Sequence, residues 1–160
     1  MTAKVTTPSD REIRIEREFD APRDRVFALM TDPELIPEWY GPRSMTTVVD
    51  HMDVRPGGSW RFVAKSPDGS EMAFQGEYRE VTPPERLVQT FGWEGMPGHA
   101  SVETAVFEEL EGGRTKITVT SVFETNEDRD GMLASGMEGG MNETYDRFDE
   151  LLARSLSRPA

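Results

Sequence analysis

Apolar and polar residues alternate along much of the chain before Asn126, a pattern typical of strands that are buried on one face. Turn signals rich in proline, glycine and aspartate separate the alternating stretches. Such short connections join antiparallel neighbours, so the pattern predicts a single antiparallel sheet. Its seven predicted strands are Arg11–Phe19, Thr46–Val54, Ser59–Lys65, Glu71–Val81, Arg86–Trp93, Ser101–Glu108 and Arg114–Phe123.

Two short helices are predicted between the first and the second of these strands. Pro22 suits the start of a helix, and the apolar residues that follow it form one stripe along about two turns. A second short turn is predicted at Asp32-Pro33. Further prolines and glycines then end helical structure and leave Trp39 and Tyr40 in the connection to the next strand.

The segment from Asn126 to Ser155 carries apolar residues at three- and four-residue steps, which predicts one long amphipathic helix that covers the sheet. Glycines in its N-terminal half each cost a helix up to ~1 kcal/mol relative to alanine. The alternative is that the helix begins near Asn142 and that the glycines form a loop. If Gly136 and Gly140 face the sheet, they leave either a cavity or a close contact between backbones.

Composition places the chain among acidic globular domains of ordinary size. Its 160 residues suffice for one hydrophobic core. The absence of cysteine excludes disulfides, thiolate metal sites and a cysteine nucleophile. A net charge of −12 disfavours nucleic acid and anionic lipid as partners. No apolar run has the length of a signal peptide core or a membrane span, so we expect a cytoplasmic protein without membrane insertion.

A series of short motifs is distributed, in order, over nearly the whole chain. They are Arg17-Glu-Phe-Asp-Ala-Pro22, Val26-Phe27, Thr31-Asp-Pro33, Trp39-Tyr-Gly-Pro42, Arg55-Pro-Gly-Gly58-Ser-Trp60-Arg61, Pro67-Asp-Gly69, Gly76-Glu-Tyr78-Arg-Glu80 and Pro84-Glu-Arg86-Leu-Val88. Together with the order of the predicted elements, they resemble the activator-of-Hsp90-ATPase-like branch of the START/Bet v 1 (SRPBCC) superfamily.

The resemblance implies an α+β helix-grip fold of the Bet v 1/START type. In this fold a curved antiparallel sheet wraps around a long C-terminal helix and leaves a hydrophobic cavity between them. The resemblance further implies one domain over residues 11–155, with flexible termini at 1–10 and 156–160. Related proteins carry lipids, hormones or pigments, some close polyketide rings, and the eukaryotic namesake stimulates a chaperone.

Aromatic and methionine side chains are the candidate lining of such a cavity, because rings and flexible thioethers suit an adaptable apolar site. The alternative for each of them is plain core packing. Trp39 and Tyr40 are predicted near the mouth. The predicted interior consists of Trp60, Phe62, Phe74, Tyr78, Phe91, Trp93, Met137 and Met141.

Two charged residues lie in apolar phase within predicted strands. Arg17 shares a face with Ile15 and Phe19, and Asp50 is in line with Val48, although a bulge would turn Asp50 outward. Arg17 and Tyr78 are the candidate polar anchors for a ligand. A structural salt bridge made by Arg17 at the edge of the pocket is the alternative.

The sequence contains no arrangement typical of a metal or a nucleophile site. His51 and His99 are isolated from each other in sequence, and Ser101 follows His99 without the surroundings of an oriented triad. We therefore predict no metal, no cofactor and no catalytic residue. Proton transfer inside the cavity is the remaining route to catalysis, with Tyr78 or Tyr145 as a donor.

The predicted function is reversible binding of a small hydrophobic or amphipathic molecule, by a monomer or a homodimer. One alternative is a cavity-based enzyme of the polyketide cyclase or hydratase type, in which Arg17 or Asp50 would assist a tyrosine. The other is a co-chaperone or stress-response partner protein, which follows from the family name. The eukaryotic activator has a chaperone-contacting N-terminal domain for which the 160 residues leave no counterpart.

Overall fold

An eight-stranded antiparallel sheet and four helices make up the chain in this computed structural model, which describes residues 3–157. None of these helices is both long and apolar enough to cross a membrane. In chain order the elements are β1 Lys4–Thr6, β2 Glu12–Phe19, α1 Arg23–Met30, α2 Ile36–Trp39, β3 Thr46–Met52, β4 Ser59–Lys65, β5 Glu71–Thr82, β6 Arg86–Trp93, β7 Ser101–Leu110, β8 Arg114–Val122, α3 Asn126–Ala134 and α4 Met137–Ser157.

The strands lie in the order β1-β2-β8-β7-β6-β5-β4-β3, so six consecutive strands form a meander and β2 closes against the last of them. Alternate residues of β2 are buried, as the apolar phase predicts. The α+β helix-grip fold is therefore confirmed. The strand number is eight and not seven, because β1 pairs with β2 inside the terminus 1–10 that was expected to be flexible. Three residues are too few to show an alternating pattern.

The other expected flexible terminus, 156–160, is only partly described. Helix α4 continues to Ser157, and residues 158–160 lie outside the described residues. The domain boundaries at 11 and 155 thus stay predictions.

The C-terminal segment forms two helices and not the one long helix that its spacing predicts. Gly136 adopts a φ of +81°, a left-handed conformation that ends helices and that glycine accepts without strain. The chain returns to helical geometry at once, since α4 begins at Met137. The alternative start near Asn142 is also wrong, because Gly139 and Gly140 lie within α4.

The C-terminal half of α4 packs into the main hydrophobic core. Phe148 is completely buried, with its ring 4.8 Å from that of Trp39 and 5.3 Å from that of Phe19 between centroids. Arg147, on the same turn, donates to the Gly41 carbonyl at 2.9 Å and to the Glu38 carbonyl at 3.0 Å. These contacts fix the end of α2 and the residues after it against α4. Trp39 thus lies in a helix and not in a connection, because Pro37 falls in the first turn of α2, where proline is tolerated.

Candidate functional site

A cavity of about 390 Å³ lies between the concave face of the sheet and the N-terminal half of α4. Its size falls within the range of roughly 300–1,000 Å³ that is typical of small-molecule sites. Strands β2 to β8 all contribute to its floor, and Met132 of α3 and several residues of α4 supply its roof. Helices α3 and α4 contribute Met132, Met137, Gly140, Met141, Thr144 and Tyr145, and the short helices α1 and α2 add Met30, Ile36 and Trp39.

Gly140 contributes to the open space beneath α4. A Cβ built on Gly140 would meet no heavy atom within 4 Å, and Gly140 borders the cavity. Phe148 lies two helical turns further on, on the same face, and is completely buried. Of the two alternatives for Gly140, cavity or close backbone contact, the structure shows the cavity.

Eight of the eleven predicted site residues border this cavity. They are Trp39, Tyr40, Phe62, Phe74, Tyr78, Phe91, Met137 and Met141. Their rings and thioethers form a mostly apolar wall, which suits the predicted ligand class.

The other three predicted site residues do not border the cavity. Trp60 is buried in the core, where its indole nitrogen lies against Gly76, so that it fills space and lines none. Trp93 ends β6 and is 40% exposed. Strand phase gives the face of the sheet on which a residue lies, but not its position along that face.

Arg17, the third of them, forms the structural salt bridge that the sequence left as an alternative. Its side chain faces inward and is buried, and its Nη2 lies 3.2 Å from Oδ1 of Asp146 and 3.9 Å from Oδ2 of Asp149 on α4. The guanidinium also lies over the Phe19 ring, 5.2 Å from its centroid. The partner of Arg17 is therefore the helix.

Asp50 lies at a β-bulge, where the register of β3 against β4 shifts between Val49 and His51. The prediction that Asp50 lies in apolar phase is wrong, because Val48, on the same face of β3, is itself exposed. The Oδ2 of Asp50 lies 2.9 Å from Nδ1 of His51. His99 is paired in the same way with Asp128, at 2.9 Å. No group of three or more metal-ligating side chains occurs among the described residues.

A row of polar side chains crosses the cavity floor, and the sequence analysis missed most of it. Tyr78 pairs with Gln89, Gln89 with Glu103, and Glu103 with Ser121, on four neighbouring strands. All four residues border the cavity. The signal was available in the sequence, because Glu103 shares the inward phase of β7 with Ser101, Ala105 and Phe107.

Glu103 is the acidic group of this row. The Ser121 hydroxyl donates a hydrogen bond of 3.2 Å to its Oε2. Burial nevertheless raises the pKa of Glu103 to about 7, against the effect of this hydrogen bond. Burial also raises the pKa of the Tyr78, Tyr145 and Tyr40 phenols, with the Glu103 carboxylate contributing at the last two. The cavity thus contains one carboxyl group that titrates near neutral pH and phenols that stay protonated.

A second cavity of about 280 Å³ adjoins the first and shares Tyr40, Phe62, Phe74 and Met137 with it. It extends toward Gly136, at the break between α3 and α4. The Thr47 hydroxyl, on its border, donates to the Tyr40 carbonyl at 2.7 Å and holds that residue in place.

A curved sheet, a C-terminal helix laid across it and a largely apolar hollow between them define a helix-grip protein. Comparison with known families agrees with this architecture. The sequence model for the family "Activator of Hsp90 ATPase homolog 1-like protein" matches residues 20–153, and the chain belongs to this family.

Solved structures of bacterial proteins have the same fold. A protein from Rhodobacter sphaeroides is 27% identical, with a TM-score of 0.90 over 96% of this chain and 99% of its own. One from Arthrobacter aurescens is also 27% identical, with a TM-score of 0.87 over 96% and 93%. One from Mycobacterium smegmatis is 26% identical, with a TM-score of 0.81 over 93% and 97%. The comparison with curated proteins found no match.

Proposed function

We propose that the protein reversibly binds a small, largely apolar molecule in the cavity between the sheet and α4. The single observation that carries this proposal is the hollow of about 390 Å³ itself, which the glycine-containing half of α4 leaves open over an aromatic floor. Protein interiors are normally close-packed, so an open space of this size on one side of a packed core is typical of a binding site.

The apolar wall alone gives weak binding. Burial of about 200 Å² of ligand surface is worth roughly 5 kcal/mol, which corresponds to a dissociation constant of about 0.2 mM before the costs of association. Tighter binding therefore requires polar contacts, and the row from Tyr78 to Ser121 supplies them.

Met141→Trp tests the proposal by filling the cavity from the helix side. We expect this variant to lose uptake of the neutral fluorescent probe N-phenyl-1-naphthylamine, because the larger ring occupies the space that Met141 borders. Fluorescence titration measures binding, and circular dichroism checks that the fold is kept. The matched control is Val106→Trp, which adds the same ring at an exposed position of β7. Equal probe binding by both variants would contradict the proposal.

A second candidate is proton transfer on a bound molecule, and Glu103 favours it. A carboxyl group with a pKa of about 7 is suited to act as a general acid or base near neutral pH. Native mass spectrometry of protein purified from its own host can identify a co-purifying compound. Turnover of that compound by the wild type and not by Glu103→Gln would favour the enzyme, and binding without turnover would favour the carrier.

Two expectations stay predictions. Contact with a chaperone follows from the family description, and a pull-down with the host chaperone tests it. A cytoplasmic location follows from the sequence, and fractionation of the host cell tests it.

A further inference from the structure

The described residues that border the cavity include an acidic side chain but no basic one. Among the described residues that border it, Glu103 is the only one with a carboxyl group, and none is lysine, arginine or histidine. Three basic residues of the neighbouring strands β2 and β8 have partners of their own, and none of them borders the cavity. Arg14 donates to Thr120 at 3.2 Å, Lys116 pairs with Glu16 at 2.8 Å, and Arg17 pairs with α4.

The Glu103 carboxylate consequently lacks a cationic partner among the described residues. The Ser121 hydroxyl supplies a hydrogen bond to Oε2. A carboxylate can accept about four hydrogen bonds, so one neutral donor leaves most of its capacity unused. Glu103 is half-buried and borders the cavity. Partial burial without a cation is costly for the charged form of a carboxyl group, and the raised pKa of about 7 reflects that cost.

The surroundings of Glu103 favour a cation as the missing partner. Gln89, opposite Glu103 in the sheet, can offer an amide oxygen, and an ammonium group has three donors to share between the two side chains. The faces of the aromatic rings of the wall, such as Tyr78 and Phe91, attract cations. The net charge of −12 attracts them toward the protein as a whole.

We infer that the ligand is an amphipathic amine, a compact apolar molecule whose protonated amino group pairs with Glu103 while its apolar body lies against the aromatic wall. This inference rests on the proposed function, since it names the class of molecule that the same cavity takes. Carboxylates and phosphates would meet the negative charge of Glu103 with no compensating cation on the cavity wall.

Three rigid molecules of the same shape test the inference: 1-adamantylamine, 1-adamantanol and 1-adamantanecarboxylate. Displacement of N-phenyl-1-naphthylamine at pH 8 measures their affinities. We expect the amine to bind at least tenfold more tightly than the alcohol, and the carboxylate to bind most weakly. In Glu103→Gln we expect the amine to lose at least tenfold in affinity and the alcohol to change less than threefold. Glu108→Gln, an exposed position on the same strand, is the control for the change in net charge.

The pH dependence gives a second readout. We expect the affinity of the wild type for the amine to fall at least fivefold between pH 8 and pH 5.5, because Glu103 takes up a proton in this range. The ionisable groups that face it are the phenols of Tyr40 beside α2, Tyr78 on β5 and Tyr145 on α4, and their raised pKa values keep them protonated throughout. Glu103→Gln should bind the amine equally at both pH values.

The possible failures are distinguishable. Equal affinity of the wild type for amine and alcohol, or a preference for the amine that survives Glu103→Gln, would overturn the amine inference and leave cavity binding intact. If neither the probe nor any of the three molecules bound the wild type, the proposed function would fall together with the inference.

Discussion

The two halves of α4 differ in what they do with the same helical face. Toward the C-terminus, Phe148, Leu151 and Leu152 are buried and meet the core without leaving space. Toward the N-terminus, Gly140 and Met141 of the same face border a cavity. A single helix can therefore close a core at one end and leave a cavity at the other, and the missing side chain at Gly140 contributes to the open end.

The largest effect on stability should come from a substitution in the C-terminal half of α4, which packs into the core. Phe148→Ala should lower the free energy of unfolding by about 4 kcal/mol, because it removes a fully buried ring and leaves a cavity. Met141→Ala should cost less than about 2 kcal/mol, because that side chain already borders open space and its loss creates little new cavity surface. Urea unfolding followed by circular dichroism measures both. Equal losses would mean that the two halves are packed alike.

A smaller effect should appear in the open half as a dependence of stability on pH. The pKa of Glu103 is about 7 in the folded chain, above its ordinary value of 4.5, so between these pH values the folded state holds a proton that the unfolded state has released. Stability therefore falls as pH rises through this window. Relative to Glu103→Gln, the wild type should lose about 3 kcal/mol between pH 4 and pH 8, since each pKa unit is worth about 1.4 kcal/mol.

Urea unfolding of the two proteins at a series of pH values measures this difference. Glu108→Gln is again the matched control, and its stability should follow that of the wild type at every pH. Parallel profiles for the wild type and Glu103→Gln would show that the cavity imposes no cost on the carboxylate, and would place Glu103 in contact with water.

The smallest effects should come from two glycine-to-alanine substitutions, which should change the free energy of unfolding in opposite directions. Gly136→Ala should lower the free energy of unfolding by about 1 kcal/mol, because the left-handed backbone is unfavourable for a residue with a Cβ. Gly140→Ala should raise it by up to about 1 kcal/mol, because alanine favours the helix and the added methyl meets no neighbour within 4 Å. Thermal unfolding measures both. A loss at Gly140 would mean that the helix lies closer to the sheet than the structure shows.

Periodicity predicted most strands and their inward faces, because the alternation of neighbouring residues determines which side chains of a strand share a face. Strand β1 was not predicted, since three residues are too few to show an alternating pattern. The break between α3 and α4 at Gly136 was not predicted, for a different reason. A glycine inside a helical pattern is compatible with both a weak helix and a left-handed turn, and the pattern alone does not separate these conformations.

The cavity wall was predicted less completely than the fold. Trp60 has the same inward phase as Phe62, yet only Phe62 borders the cavity, because the curvature of the sheet decides how far along a strand the open space extends. The partner of Arg17 could not be found locally either, since Asp146 is more than a hundred residues away along the chain. Glu103, by contrast, was visible in the phase of β7 and was overlooked.

Helix α3 contributes Met132 to the roof of the cavity, although none of its own residues is fully buried. Its first turn is held by the Thr125 cap and by the contact of Asp128 with His99, and its last turn ends at the left-handed Gly136. A movement of this short helix away from the sheet would expose little apolar surface. We therefore expect a bound molecule to exchange past α3 while the strands stay hydrogen-bonded, at a rate that depends on these few surface contacts and not on the global stability of the protein.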